Sequence, residues 1–325
     1  MKLKNVLAAL SMAIILLPSC KKDDDSETTY LYFDGEIEFS LPTYVKAGDK
    51  FTFNIDEIST LSTDKLAEGE SIGYYWTDPY TAKNDTLKDG RKTIEFTVKD
   101  TLGTFDLTIK GFLSGFVNGY CTVSFSTVNP DYFNGSLSQT GVKRSDSHFT
   151  DSRDGNVYYY TQIGDLLWTR NNLAYTGSGV PYKDSEVMNS LFGRFYTYDQ
   201  AMSACPAGWR LPTDAEWQTV VDNWSGNSGA LMVDARFNDE SMWTYWKDVK
   251  PTNESKLGIL PLGYATAASD GPYFYSLSVY AAVWTSTVES GMGVYRYIHE
   301  KSSTLFRGTQ TRDSFYLPVR CVKEN

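Results

Sequence analysis

The sequence is poor in the side chains that carry most protein chemistry. It has two histidines, His148 and His299, and four cysteines in 325 residues. No His-x-x-His, His-Glu-x-x-His or Cys-x-x-Cys spacing occurs, so the common zinc and dithiol arrangements are excluded. There is no P-loop and no Gly-x-Gly-x-x-Gly dinucleotide fingerprint. A catalytic triad would have to use His299, and no nucleophile motif lies near it. Among Tyr295, Tyr297 and Phe306 a lone histidine is the ordinary content of a packed strand. Charge is sparse at 22%, and 30 basic against 40 acidic residues leave a net charge of −10. A nucleic-acid partner needs a basic footprint and is excluded; the acidity itself favours solubility. What the chain has in quantity is aromatic: 23 Tyr, 17 Phe and 8 Trp, the profile of aromatic-rich β-sandwiches and extracellular binding modules.

The only long apolar run, residues 6–17, is too short to cross a bilayer as a helix. It follows Lys2 and Lys4 and precedes Leu17-Pro18-Ser19-Cys20, which resembles a bacterial lipobox, with Pro18 an unusual member. On that resemblance residues 1–19 are a lipoprotein signal peptide and Cys20 is the lipid attachment site. Several acyl chains then hold the protein on a membrane. Lys21-Lys22-Asp23-Asp24-Asp25 is similar to the lysine-plus-acidic signal of Bacteroidetes-type surface lipoproteins. The expected location is the outer membrane, on the outward-facing cell surface, with residues 20–28 a lipidated tether.

Residues 29–128 carry alternating runs such as Phe51-Thr52-Phe53-Asn54-Ile55, Ile94-Glu95-Phe96-Thr97-Val98 and Cys121-Thr122-Val123-Ser124-Phe125, parted by turn signals. They predict an all-β domain. Tyr74-Tyr75-Trp76-Thr77-Asp78 makes it similar to an immunoglobulin-like sandwich of the polycystic-kidney-disease type. Residues 129–149, with Asn129-Pro130 and Asn134-Gly135-Ser136, read as a linker. A second domain follows over 150–325. In it Thr197 caps a first predicted helix, which Pro206 and Gly208 stop. Thr213 and Glu216 form a capping box for a second, whose Trp217, Val220, Val221 and Trp224 share one face.

The run Cys205-Pro206-Ala207-Gly208-Trp209-Arg210-Leu211-Pro212-Thr213, then Glu216-Trp217, closely resembles the Fibrobacter succinogenes major paralogous domain of bacterial surface lipoproteins. Trp168-Thr169-Arg170-Asn171-Asn172-Leu173, Gly193-Arg194-Phe195-Tyr196, Leu260-Pro261-Leu262-Gly263-Tyr264, Val283-Trp284-Thr285-Ser286-Thr287 and Val319-Arg320-Cys321 extend the resemblance over 150–325. It implies a C-type-lectin-like, α+β fold of two helices with an antiparallel sheet, and a disulfide between Cys205 and Cys321. Cys121, in a strand of the first domain, is expected to stay a free thiol.

The calcium triplets of true C-type lectins are missing, and Trp284-Thr285-Ser286 stands where Trp-Asn-Asp would run. Asp234, Asn238, Asp239 and Glu240 cluster and could bind a cation, although a solvated acidic loop is the favoured reading; no metal or other cofactor is expected. The candidate ligand-binding residues are aromatic: Trp243, Tyr245, Trp246, Tyr273 and Tyr275. Rings with polar tips suit sugar faces and protein interfaces, while alternation along a strand could instead bury one side of each pair. Residues 210–217 are also similar to a helix start in formylglycine-generating enzymes. Those use a copper-binding cysteine pair, whereas Cys205 and Cys321 fit the fold's disulfide. The expected function is non-catalytic recognition or adhesion toward a glycan or a surface protein. The alternative is a structural subunit of a cell-surface or fimbrial assembly.

Overall fold

The computed structural model describes residues 30–243, 249–299 and 302–325. Cys20 lies outside them. The first half holds seven strands: β1 (Tyr44–Val45), β2 (Lys50–Asn54), β3 (Gly73–Thr77), β4 (Asn84–Thr86), β5 (Thr93–Thr97), β6 (Gly103–Phe112) and β7 (Gly119–Thr127). They form a five-stranded sheet, β1-β7-β6-β3-β4, and a two-stranded sheet, β2-β5. Alternation makes this work. Ile94 and Phe96 of β5 point inward, as do Leu107 and Ile109 of β6, and they meet Phe53 and Phe125 in one core.

The segment expected to be a linker is packed. Its strand β8 (Leu137–Ser138) pairs with β14 (Arg236–Phe237), which pairs in turn with β15 (Glu240–Ser241). Leu137 is fully buried beside Phe192 and Tyr182 in a core that Val128 also enters. The first half joins the second here too. Tyr44 N donates to Ser185 Oγ at 3.0 Å, and its ring lies 5.9 Å from those of Tyr182 and Phe237.

The remaining strands are β9 (His148–Thr150), β10 (Val157–Ile163), β11 (Leu166–Thr169), β12 (Val180–Pro181), β13 (Arg194–Thr197), β16 (Tyr264–Thr266), β17 (Tyr273–Tyr275), β18 (Tyr280–Glu289), β19 (Met292–His299), β20 (Phe306–Gln310), β21 (Phe315–Pro318) and β22 (Val322–Glu324). They build sheets of order β22-β11-β10-β9, β12-β13-β21-β16-β17 and β18-β19-β20. Short helices intervene: α1 (Ile55–Ile58) in the first half, then α2 (Asn189–Phe192), α3 (Tyr198–Ala204) and α4 (Asp214–Asn223). Thr197 with Gln200 and Thr213 with Glu216 close reciprocal capping boxes on α3 and α4. After α3, Gly208 takes φ of 81° in the turn where Trp209 N bonds Pro206 O.

The fold class expected from the sequence is overturned. In place of an α+β, C-type-lectin-like half with two helices on one antiparallel sheet, the described residues are mostly β, with 38% strand against 12% helix and several curled sheets. The immunoglobulin-like arrangement expected before it gives way to a lopsided sandwich of five strands on two. The physical reason is locality. Capping signals report single short helices, here 7 and 10 residues long. Class is set by pairings between distant strands, such as Trp168 with Val322 and Tyr196 with Leu317, and no local pattern encodes those.

Candidate functional site: an aromatic cavity between two sheets

Two sheets each turn an aromatic face toward a common opening. In the five-stranded sheet Tyr264 pairs with Tyr275, and Thr266 pairs with both Tyr273 and Phe315. Paired residues share a face, so all five side chains stand on one side. The next residues in register, Ala265 and Phe274, point the other way; the Phe274 ring packs 5.0 Å from Tyr182 and 5.1 Å from Phe195. In the three-stranded sheet the same rule puts Tyr280, Trp284, Tyr295, Tyr297 and Phe306 on one face. Ala281, Val283 and Ile298 fill the opposite side, against Trp217 and Trp168.

Between the faces lies an open cavity of about 530 Å³, lined by Tyr264, Thr266, Tyr280, Tyr295, Gln310 and Phe315 with Ala267, Thr311 and Ser314 at the rim. Behind its lining lies Trp284, fully buried, whose Nε1 donates to Tyr196 O at 2.8 Å. Phe315 and Tyr295 meet the Trp284 ring at 6.1 and 6.0 Å. Gly308 sits opposite Tyr295, and a Cβ there would come within 2.7 Å of the ring. Only glycine lets that tyrosine lie across the strand. Along the opening the rings of Tyr275, Tyr264, Tyr280, Tyr297 and Phe306 follow one another with centroid steps of 5.5, 5.7, 5.2 and 5.3 Å.

The wall offers stacking and hydrogen bonding. Tyr280 OH donates to Tyr295 OH at 3.3 Å. Burial pushes both phenols upward, so neither ionises near neutral pH. Gln310 uses its Oε1 to accept from Thr311 N at 3.3 Å, and Thr311 Oγ1 meets Ser314 Oγ at 2.8 Å. Gln310 Nε2, Thr266 Oγ1 and Tyr264 OH have no hydrogen-bond partner among the described residues.

The cavity is held by an unusually tied frame. Cys205, just past α3, is bonded to Cys321 before β22, across 116 residues that include the whole cavity wall. Beside it, Arg320 is completely buried and donates to Asn172 Oδ1 at 2.6 Å and to the carbonyls of Thr169, Leu257 and Gly258 at 3.0, 2.7 and 3.1 Å. Its hydrogen-bond partners are neutral oxygens, and burial, with the nearby Arg170 charge, pushes its guanidinium down to about 10. Arg194 and Arg170 likewise clamp backbone carbonyls, at Ser178, Gly179 and Lys256. The motif arginines thus tie loops to strands. Residues 161–323 match the Fibrobacter succinogenes major domain. The chain belongs to this family. The family region contains the disulfide, the arginine clamps and the whole cavity, and leaves the N-terminal sandwich outside. No curated protein matches the chain. No solved structure matches it either.

The five aromatic residues singled out from sequence fall in three places. Trp243 is 5% exposed, packed in the main core, with its Nε1 donating to Val233 O at 2.6 Å. Tyr245 and Trp246 lie outside the described residues. Tyr273 and Tyr275 are 51% and 45% exposed and border the aromatic opening. Tyr273 OH donates to Asp270 Oδ2 at 2.7 Å. The residues that sequence reasoning did not assign to a site are Tyr264, Tyr280, Tyr295, Tyr297 and Phe306. The alternation Tyr295-x-Tyr297 signals an aromatic strand face, but only the pairing brings it to Tyr264. Of the acidic cluster, Asn238 and Asp239 form the turn of the β14–β15 hairpin, at φ of 48° and 64°, while Glu240 opens β15 and Asp234 precedes β14. Cys121 is a free cysteine.

Other sites are less suited to a ligand. A wider cleft of about 660 Å³ separates the two halves and mixes Lys46 and Lys50 with Asp49, Asp184 and Glu186. A smaller pocket of about 260 Å³ is rich in amides. These are already engaged: Asn171 binds Tyr159 N and Val157 O, Asn172 binds Phe192 O and Arg320, and Asn156 binds Asp154 and Ala174 O. Gly69-Glu70-Ser71-Ile72-Gly73 has the spacing of a nucleophile elbow, yet it is a loop leading into β3 and opens no helix, so Ser71 lacks that geometry.

Proposed function

We propose that the protein is a lipid-anchored lipoprotein of the outer membrane, facing outward, that recognises a glycan or a surface protein without transforming it. The observation that carries this reading is the aromatic cavity. Its wall holds the Tyr280 and Tyr295 phenols, which burial pushes upward, with further hydroxyls and one amide, groups that bind and orient a ligand. Tyrosine-rich concave surfaces are efficient contact sites because the rings are large, stiff and polar at the tip. The anchor rests on the basic start, the apolar run of residues 6–17 and Cys20.

The test uses the full-length chain against mucin, glycans and cell-surface extracts, with Tyr273→Ala, Tyr275→Ala and Phe306→Ala as variants. All three side chains are exposed, so binding should fall while the melting temperature holds. Binding that ignores all three would sink the assignment to this cavity. In parallel, Cys20→Ala should release the protein from membranes; an unchanged membrane fraction would refute the anchor. The alternative of a structural subunit has one feature in its favour. β17 is the outer strand of its sheet, and an open edge can accept a strand from a partner.

A further inference from the structure

The charge distribution around the cavity narrows the ligand class. The chain is 22% charged, yet none of the nine lining residues carries a charge at neutral pH. Neighbouring charges are paired or lie outside the wall. Arg312 pairs with Asp199, Asp270 accepts the Tyr273 hydroxyl, and Asp313 is exposed and outside the wall. An anionic or cationic ligand entering here would lose water without gaining a counter-charge, which is costly. A wholly apolar guest fares poorly as well. It would cover Gln310 Nε2, Thr266 Oγ1 and the Tyr264 hydroxyl without offering them partners.

We infer that the cavity takes an uncharged, hydroxyl-bearing ring, namely a hexose-type unit of a neutral oligosaccharide; this rests on the recognition reading above. The C–H faces of such a ring lie against the aromatic side chains, and its hydroxyls meet the three free polar groups. A volume of about 530 Å³ suits one or two such rings, within the range of roughly 300–1,000 Å³ for small-molecule sites. The series of rings from Tyr275 to Phe306 extends the aromatic surface past the cavity on both sides. A longer oligosaccharide therefore gains contacts that a monosaccharide cannot make. Without charged or metal-ligating groups in the wall, binding is insensitive to salt and to chelator.

The experiment titrates the full-length chain with neutral gluco-, galacto-, manno- and xylo-oligosaccharides, and with sialylated and uronate-containing oligosaccharides of matched length. The expected result is binding within the neutral set, tighter for a tetrasaccharide than for a monosaccharide. It should change by less than about twofold when ionic strength rises about tenfold, and EDTA should leave it unchanged. Gln310→Ala and Thr266→Val should each weaken it by up to about tenfold, the scale of one lost hydrogen bond. Lys50→Ala, in the separate cleft, should leave it intact. The inference is overturned if only acidic oligosaccharides bind, if salt abolishes binding, if neither Gln310→Ala nor Thr266→Val has an effect, or if no neutral oligosaccharide binds. A protein ligand lost on Tyr275→Ala, with no sugar binding, also overturns it while leaving the recognition reading in place. Ligand binding that ignores Tyr273, Tyr275 and Phe306 refutes that reading instead.

Discussion

Replacing Cys205 and Cys321 together by alanine should remove about 5 kcal/mol from the stability of the C-terminal half. The bond spans 116 residues, and the chain-entropy relation for a loop of that length gives about 4.9 kcal/mol at 25 °C. Cys321 is fully buried, so the smaller side chain adds a packing loss of about 1 kcal/mol. Relaxation of the folded state and residual structure in the unfolded chain work against both figures. The assay is urea unfolding followed by tryptophan fluorescence, which reports this half because Trp168, Trp217 and Trp284 lie in its core. With a slope of about 3 kcal/mol per molar urea, the midpoint should fall by about 1.5 M. Cys121→Ala, at the free thiol, serves as control and should shift the midpoint by less than about 0.3 M. A double variant that also shifts by less than about 0.3 M would show that the arginine clamps and strand pairing close the fold without the bond, and the reasoning would fail.

Other outcomes follow from the same geometry. Arg320→Met strands one amide oxygen and three carbonyls in the core and should cost about 3–5 kcal/mol by thermal melting; a loss under about 1 kcal/mol would mean those oxygens find other donors. Trp284→Ala and Trp243→Ala should each cost about 3–5 kcal/mol, whereas Tyr273→Ala and Tyr275→Ala should stay within about 1 kcal/mol, so equal losses at all four would refute the division into core and open face. Burial pushes the Glu216 carboxyl up, but Arg210 and the Thr213 N–H outweigh that and hold it below its ordinary value of 4.5. A carboxyl lowered on folding contributes stability above the unfolded value and loses it as pH falls through the folded one. Glu216→Gln should therefore reduce stability at pH 7 and flatten the decline below about pH 4.5; an unchanged acid limb would contradict this.

What the sequence disclosed was local or covalent. Thr197, Thr213 and Glu216 announce their helix starts because a cap needs only a few consecutive residues. The Cys205–Cys321 bridge came with the family resemblance, which the match over 161–323 bears out. The fold class was not legible, since it depends on which distant strands pair. The packed state of 129–149 was hidden for a similar reason: Leu137 is the fully buried apolar residue of the segment, and its partner strand lies about a hundred residues away. The cavity was half legible. Tyr273 and Tyr275 stood out as a polar-tipped pair, but the opposite wall comes from β18 to β20, where Tyr295 and Tyr297 look like ordinary strand content until the register places them over Ala282 and Trp284. Trp243 stood out for the same composition and is a core residue. Ring content alone does not separate the two cases; which face is covered does.

Recognition at the aromatic cavity is tested by hydrogen exchange of the full-length chain with and without whichever glycan, mucin or cell-surface component binds it. Recognition at the aromatic cavity requires added protection in β16 and β17, over residues 264–275, and in 306–314. Little change is expected at 42–51 and 184–190, which border the cleft between the two halves. Protection confined to that cleft, with residues 264–275 and 306–314 exchanging as in the free protein, would contradict the account.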